Sequence, residues 1–327
     1  MNIYNPLNAE SPQNKCFLCG NNLDDKNKTK EHIFPQWIIN HFNLGTKSLS
    51  LRFDRKKVKY KQITIPCCKN CNSSILAPLE AKVRKNFIDL RDHEFNLSDY
   101  EVALWAGKIY YGILLYDYLD AINLGDKDLI ISLQSLFSQG DVIILHILLQ
   151  SLILPIKINS YDSNFPISLI HYKLKLPSHI NDQFDFRTSS LTNDFFLRIG
   201  RRGFLISFDG GYLTKYPGFD FIKFTKKKLH PNQFLELAAH FMTLSYLKTN
   251  HRKYLKYDNE NEIRIEYLPD NFTSVYRNED PTEIFLSYLS NFINCDRDFL
   301  ILENGMRRTY LEDENGYFQM DIYDAHE

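Results

Sequence analysis

Two Cys-x2-Cys pairs constrain this chain more than any other feature of its sequence. They are Cys16/Cys19 and Cys68/Cys71, and they use four of the six cysteines. Each pair can place two thiolates on one tetrahedral ion, so two pairs complete a closed four-cysteine zinc site. Because four thiolates leave no open position for water, this zinc is expected to be structural and to brace a module too small to build its own core.

Cys67 leaves one choice open within this assignment. Either Cys67 or Cys68 supplies a thiolate, and the x2 spacing to Cys71 favours Cys68. Cys295 is interpreted as a buried thiol, and His146, which lies in an apolar run, is interpreted as a buried histidine with satisfied hydrogen bonds.

Composition indicates a folded protein with no membrane segment. The chain has 327 residues, of which 44% are apolar, which is enough for a core and for two domains. The most apolar run, Val142 to Leu154, is shorter than the roughly 20 residues that a membrane span requires. The first residues do not resemble a signal peptide, so we expect a cytoplasmic protein.

Hydrophobic periodicity and turn residues predict an α+β fold with two domains. We expect a small domain over residues 1–95 and a larger mixed α+β domain over residues 96–327, with an acidic, solvated tail from about residue 311. Helices are predicted over 35–42, after Cys71 with a kink or a late start at Pro78, over 99–120, within 129–154 and over 231–247. Strands are predicted over 48–53, 57–65, 167–174 and 195–199, and a hairpin turn at 200–203.

The segment between the cysteine pairs carries a resemblance to a known family. It contains Lys30-Glu31-His32-Ile33-Phe34-Pro35, and Asn72 follows the second pair directly. The order Cys-x2-Cys, acidic-His-Ile-x-Pro, Cys-x2-Cys-Asn resembles the HNH endonuclease family of the His-Me finger superfamily. It is similar to a bacterial branch that also has a Leu-Glu pair, here Leu79-Glu80. The resemblance covers about residues 15–90.

This resemblance implies a β-hairpin and a helix that enclose one divalent cation. His32 would be the general base that takes a proton from the attacking water. Glu31 and Asn72 would hold Mg²⁺ or another divalent cation through oxygen atoms. Since neighbouring residues of a regular strand point to opposite faces, the strand must end or bulge for Glu31 and His32 to serve one site. If the strand stays regular, Glu31 would support the cation ligands without binding the cation, and Glu80 would be the substitute ligand.

Basic residues near these motifs indicate a polyanionic partner. Residues 1–90 hold 15 Lys and Arg against 7 Asp and Glu, although the net charge of the whole chain is −1. The residues expected to contact phosphates are Arg52, Arg55, Lys56, Lys57, Lys59 and Lys61, with Lys82, Arg84 and Lys85 on the following helix. Such contacts give salt-sensitive affinity that is largely independent of sequence.

The leading hypothesis is therefore a metal-dependent HNH endonuclease that hydrolyses DNA phosphodiester bonds, with RNA as the alternative substrate. By analogy with the family, phage defence or a mobile element would be its setting. A second hypothesis is a catalytically decayed, zinc-dependent nucleic-acid-binding protein, since the family's middle asparagine is not evident at 62–66. A third is an interaction protein whose cysteine pairs only brace the larger domain. Residues 96–327 carry no assignable motif, and their expected role is recognition, regulation, or contact with a protein partner or a second copy.

Overall fold

The structure, a computed structural model, describes residues 3–50, 57–90, 94–160, 167–177, 179–189, 192–215, 218–248, 253–259, 261–268, 277–302, 305, 307–313 and 317–319. As predicted, the fold is mixed α+β. The strands are β1 (Lys28–His32), β2 (Ser48–Ser50), β3 (Lys57–Lys59), β4 (Thr64–Cys68), β5 (Ile156–Ser160), β6 (Ser168–Leu174), β7 (Phe184–Thr188), β8 (Asp194–Ile199), β9 (Arg202–Ser207), β10 (Lys228–Leu229), β11 (Tyr254–Asp258) and β12 (Ile263–Tyr267). The helices are α1 (Gln36–His41), α2 (Ala77–Arg84), α3 (Asp99–Leu124), α4 (Lys127–Phe137), α5 (Gly140–Gln150), α6 (Tyr212–Lys215), α7 (Pro231–Leu247) and α8 (Pro281–Ile293).

The chain divides into two compact units, and the division does not fall at residue 95. Unit 1 comprises Met1–Ile167, Phe208–Gly211 and His251–Asn271, and unit 2 comprises Ser168–Ser207, Tyr212–Asn250 and Phe272–Glu327. The expected boundary lies inside unit 1 because α3 packs on the segments before it. The Trp105 ring of α3 stacks on Trp37 at 6.2 Å between centroids, and Gly112 packs against the side chain of Ile33.

An antiparallel strand pair in unit 1, which we call the hairpin, is followed by a helix; its strands β1 and β4 are joined through α1, β2 and β3. Strands β1 and β4 are antiparallel, with Lys28 opposite Cys68 and His32 opposite Thr64. The chain then turns into wide π-helical turns over Cys71–Leu76, which lead directly into α2. Pro78 is the second residue of α2 and lacks the N–H that an interior helical position must donate. Of the two predicted alternatives, a late start does not hold, because the residues before Pro78 are already helical; the irregularity at the proline is the wider π-helical turn that precedes α2.

Helix α3 packs against β4 of this hairpin and against α2. Its first turn is closed by a capping box in which Ser98 and Glu101 bond each other's backbone N–H groups, and Gly125 ends it at φ +67°. Every residue from Val102 to Leu115 is buried. A helix that is buried on all sides lies in the interior of its unit.

Smaller elements complete unit 1. The predicted strand over 57–65 is split, because a 3₁₀ turn over Tyr60–Gln62 separates β3 from β4. Strand β3 instead pairs antiparallel with β2, and the predicted remainder of the first strand, 51–53, lies outside the described residues. A three-stranded sheet has the order β11-β12-β5, and the predicted helical stretch over 129–154 forms α4 and α5.

Unit 2 is a five-stranded sheet packed on two helices. The strand order is β10-β6-β9-β8-β7, and all neighbours are antiparallel except β10 and β6. The predicted hairpin joins β8 to β9 through Gly200 at φ +55°. Helix α7 has the predicted bounds, and its Phe234 ring lies so close to Gly203 that a Cβ there would be 2.5 Å from it.

The described part of the C-terminal region is docked on α7 rather than solvated. Gln233 Nε2 donates to the carbonyl oxygens of Tyr310 at 2.8 Å and Gln319 at 2.9 Å. The buried Glu236 carboxylate accepts the Thr309 hydroxyl at 2.7 Å, and Leu311 is buried. The solvated tail expected from about residue 311 therefore does not begin there, because two buried polar groups of α7 bind this backbone; residues 320–327 lie outside the described part.

Among the described residues, no single helix combines the length and apolar character needed to cross a membrane. Helices α4 and α5 meet that test only as a pair, and they are bent by 71° at the break between them.

Candidate functional site

The four paired cysteines converge on one point of unit 1. Their Sγ atoms all lie within 4.8 Å of one another, although Cys16 and Cys19 precede β1, Cys68 ends β4 and Cys71 opens the helical segment. Cys19 Sγ is 3.8 Å from Cys68 Sγ, and the backbone N–H of Cys71 donates to Cys68 Sγ at 3.4 Å. The set includes Cys68 and not Cys67, as the spacing favoured, and it can hold one metal ion.

The first cysteine pair is built into the hairpin by its backbone. Phe17 N–H donates to the Pro66 carbonyl at 3.0 Å, and Gly20 N–H donates to the Cys16 carbonyl at 2.9 Å. Gly20 has φ +74°, and a Cβ at this position would lie 2.5 Å from the Tyr4 ring. Glycine is required here both for the left-handed conformation and for the close approach of that ring.

His146 of α5 also supports the first pair. Its Nε2–H donates to the Phe17 carbonyl at 2.9 Å, and Gln150 Nε2 lies 3.4 Å from its Nδ1. Burial lowers the pKa of His146 to about 4, so the ring is neutral and both nitrogens are used. The interpretation of His146 as a satisfied buried histidine agrees with this geometry.

Glu31 points inward, onto a lysine that the sequence motifs did not reveal. Its Oε1 is 2.6 Å from Nζ of Lys108 on α3, which also lies 2.6 Å from Glu80 Oε1 and 3.0 Å from the His32 carbonyl oxygen. The Lys108 side chain is 1% exposed. Burial lowers the pKa of Lys108, but the carboxylates of Glu80 and Glu31 raise it by more. Lys108 is therefore an ammonium ion with three hydrogen bonds.

His32 lies on the opposite face of the same strand. Strand β1 stays regular and paired through His32, so Glu31 and His32 point apart. The end or bulge that would let both serve one site does not occur between them. The outward face carries His32, which is partly exposed, and the exposed Lys28 and Lys30. Burial and the charge of Lys108 lower the pKa of His32 below its usual 6.5. Its imidazole is therefore neutral at neutral pH, with lysines beside it.

Asn72 links the helical segment to the inward face of the hairpin. Its Nδ2 donates to Thr29 Oγ1 at 3.1 Å, and that hydroxyl donates to the Cys67 carbonyl at 2.9 Å. Asn72 thus contacts the face of β1 that carries Thr29 and Glu31. Its amide nitrogen bonds Thr29, however, and the Glu31 carboxylate bonds Lys108.

These contacts do not fit the divalent cation expected on Glu31 and Asn72. Mg²⁺ requires oxygen ligands at about 2.0–2.1 Å, whereas an ammonium nitrogen lies 2.6 Å from the oxygens of both nearby carboxylates, Glu31 and Glu80. Within the described ranges, the four cysteines form the one group of three or more His, Cys, Asp or Glu residues that can hold a metal ion. Glu80, the substitute ligand considered from sequence, bonds the same lysine.

The predicted phosphate-contacting residues fall into two exposed sets and one set that is not described. Those outside the described residues are Arg52, Arg55 and Lys56. The exposed residues on and after β3 are Lys57, Lys59 and Lys61. The exposed residues on and after α2 are Lys82, Arg84 and Lys85, of which Lys82 forms an ion pair with Glu101.

The sequence contains a signal for Lys108 that lies outside the motifs. Lys108 stands within a helical stretch that is otherwise apolar or small from Val102 to Leu115 apart from tyrosines. A lysine in such a stretch must be buried, and a buried lysine needs an acidic partner. Lys28 and Lys30, which lie outside the predicted contact set, alternate with Thr29 and Glu31 along β1 and are exposed.

Comparisons of this chain with family models, with curated proteins and with solved structures gave no match.

Proposed function

We propose that residues 15–90 form a zinc-braced HNH-type nuclease module that hydrolyses phosphodiester bonds in nucleic acid, with DNA as the first candidate substrate. One observation carries the proposal. An antiparallel hairpin runs directly into a helix, with His32 at the end of its first strand and Asn72 at the start of the helix. This is the arrangement that the sequence resemblance implies for the family.

His32 is the proposed general base. It is partly exposed on the outward face of β1, and burial keeps its pKa below 6.5, so it can accept a proton from water at neutral pH. Lys28 and Lys30 lie on the same exposed face and offer positive charge to a phosphate at that position. No step is assigned to a divalent cation, because Glu31 and Glu80 are already bound to Lys108.

Zinc is the proposed ion of the four cysteines. Zn–S bonds of about 2.3 Å in a tetrahedron place sulfur atoms about 3.8 Å apart, and Cys19 Sγ lies 3.8 Å from Cys68 Sγ. Four thiolates fill the coordination sphere, so the ion stabilises the fold and binds no substrate. It would hold Cys71, and with it Asn72, at a set position beside β1.

The test is cleavage by the full chain and by two matched histidine variants, H32A and H41A. His41 is an exposed histidine of α1 in the same unit. We expect the wild type and H41A to nick supercoiled plasmid, or to cut single strands or RNA, and H32A to be slower by about 100-fold or more. Wild-type activity should fall below pH 6.5, as His32 becomes protonated.

Each reaction is run with Mg²⁺, with Mn²⁺ and in buffer freed of divalent cations, and gel mobility is the readout. Equal cleavage by H32A and the wild type would reject the role of His32. Absence of cleavage on every substrate under all three conditions would reject the nuclease.

A zinc-braced nucleic-acid-binding module is the second candidate. The observation that favours it is Lys108, whose ammonium is bonded to both carboxylates near the hairpin. In that case the wild type and H32A bind nucleic acid equally, with strong salt dependence, and neither cleaves it.

A further inference from the structure

The side chain of Lys108, on α3, lies between β1 and α2. Its Nζ bonds Glu31 at the end of β1, Glu80 on α2 and the backbone carbonyl of His32. We propose that this ammonium, as a resident lysine, permanently takes the place expected for the divalent cation, so that the wild-type chain binds no divalent ion on Glu31. Its consequence for catalysis rests on the proposed function, whereas its consequence for metal binding does not.

The geometry of Lys108 already places one cation between the two carboxylates. An ammonium group has three protons and no acceptor, and the three acceptors lie at 2.6, 2.6 and 3.0 Å from Nζ. All three protons are therefore used. A divalent ion between the same carboxylates would need their oxygens at about 2.0–2.1 Å and would stand against the positive charge of Lys108.

Charge and burial explain why removal of Lys108 should create a metal site. The Lys108 side chain is 1% exposed and that of Glu31 is 7% exposed, while Glu80 is 22% exposed. Without the lysine, two carboxylates would share a largely dry space with no counter-charge, which is strongly unfavourable. They would then take up a cation from solution, and the partial exposure of Glu80 gives such an ion access.

Lys108 is a positioning residue for His32 rather than a catalytic one. It touches the His32 carbonyl, and its three bonds lie on the inward face of β1, whereas the imidazole lies on the outward face. The bonds fix the end of the strand between α2 and α3. A side-chain cation does this permanently, so the strand end would keep its position whatever the concentration of free divalent ions.

The test is Mn²⁺ binding to the zinc-loaded full chain, measured by electron paramagnetic resonance and by thermal unfolding. The proteins are the wild type, E31Q, K108M and E31Q/K108M. We expect the wild type and E31Q to bind Mn²⁺ equally weakly. K108M should gain one site at least tenfold tighter than any in the wild type, and Mn²⁺ should raise its melting temperature. The double variant should lose both effects, because the carboxylate is gone.

Two results would overturn the proposal. The first is a Mn²⁺ site in the wild type that E31Q removes. The second is a folded K108M that gains no such site. If K108M does not fold even with Mn²⁺, the comparison of the wild type with E31Q still decides, because the pair of Lys108 with Glu80 remains in E31Q.

These readouts do not depend on cleavage, so they separate this inference from the proposed function. Loss of cleavage in H32A together with a Glu31-dependent Mn²⁺ site in the wild type would keep the nuclease and reject the resident lysine. A wild type that neither cleaves nor binds Mn²⁺ on Glu31 would reject the nuclease and keep the resident lysine.

Discussion

At the scale of single residues, two adjacent cysteines have different surroundings. Cys67 and Cys68 are consecutive in β4, so their side chains leave opposite faces of the strand. Cys68 Sγ belongs to the four-sulfur cluster and accepts the Cys71 N–H. Cys67 is fully buried beside it, with its Sγ 3.9 Å from Cys16 Sγ. The mutual distances of the four sulfur atoms therefore assign metal binding to Cys68 rather than to its neighbour Cys67.

Alanine at these two positions should separate the roles. We expect C68A to release zinc to a chelator at least tenfold faster than the wild type and to unfold at lower temperature, since a structural site contributes folding free energy directly. C67A removes the same group from a buried position and should retain one zinc per chain. Zinc content and chelator-release kinetics measure both. Retention of zinc by C68A, with loss from C67A, would reverse the assignment.

At the scale of elements, two short strands show how alternation sorts charge from core. In β1 the inward residues Thr29 and Glu31 bond the helix and Lys108, whereas Lys28, Lys30 and His32 face outward. In β3 the same period leaves two exposed lysines on either side of a buried valine. Period-two patterning thus produces a basic outer face on each of these two strands.

The basic face of β3 leads to a prediction about salt dependence, which rests on the proposed function. We expect K57Q/K59Q to weaken binding to duplex DNA and to reduce the slope of log affinity against log salt by up to about 1.8, or about 0.9 for each lost phosphate contact. The matched control is K226Q/K228Q, which removes two exposed lysines at the same spacing from unit 2. Fluorescence anisotropy at several salt concentrations is the measurement. Equal slopes for all three proteins would exclude β3 from the interface.

At the scale of the whole molecule, each unit contains a neutral histidine, which is buried in unit 1 and 12% exposed in unit 2. His146 supports the cysteine cluster in unit 1. In unit 2, His240 lies between the rings of Phe219 and Phe285, with centroid distances of 4.2 and 4.3 Å. Burial, and then the charge of Arg307, lowers the pKa of His240 to about 3. Both units should therefore lose stability in mild acid.

The sign of this effect follows from proton binding. Below pH 6.5 an unfolded chain protonates His240, whereas the folded chain does not do so until about pH 3. The free energy of unfolding should therefore fall as the pH decreases between these values, by about 1 kcal/mol from pH 7.5 to 5.5. H240F lacks this titration. As the pH is lowered from 7.5 to 5.5, its free energy of unfolding should therefore rise by that amount relative to the wild type.

Urea unfolding at pH 7.5 and 5.5 measures the change, and H41F, at an exposed histidine of α1, is the matched control. The linkage would be wrong if the difference in unfolding free energy between H240F and the wild type were the same at pH 7.5 and at pH 5.5, as it is expected to be for H41F.

Much of this fold was predictable because the relevant signals are local. The cysteine spacing, the cap at Ser98, the turn at Gly200 and the bounds of α7 depend on residues a few positions apart. For the same reason, the mixed α+β class and the four-cysteine site could be predicted before any contact between distant segments was known. Period-two alternation set the condition that the strand must end or bulge for Glu31 and His32 to serve one site, and the regular pairing of β1 through His32 does not meet it.

Tertiary structure alone decided the rest, because it depends on contacts between segments that are distant in sequence. Lys108 meets Glu31 and Glu80 across separations of 77 and 28 residues, so no local pattern could show that an ammonium lies beside the expected cation ligands. The contacts of Thr309, Tyr310 and Gln319 with α7 span separations of 73 to 86 residues. The packing of α3 likewise moved the boundary between units beyond residue 95. Local sequence determines which charged and polar groups a segment carries. Tertiary folding determines which of those groups pair with one another when they are buried away from water.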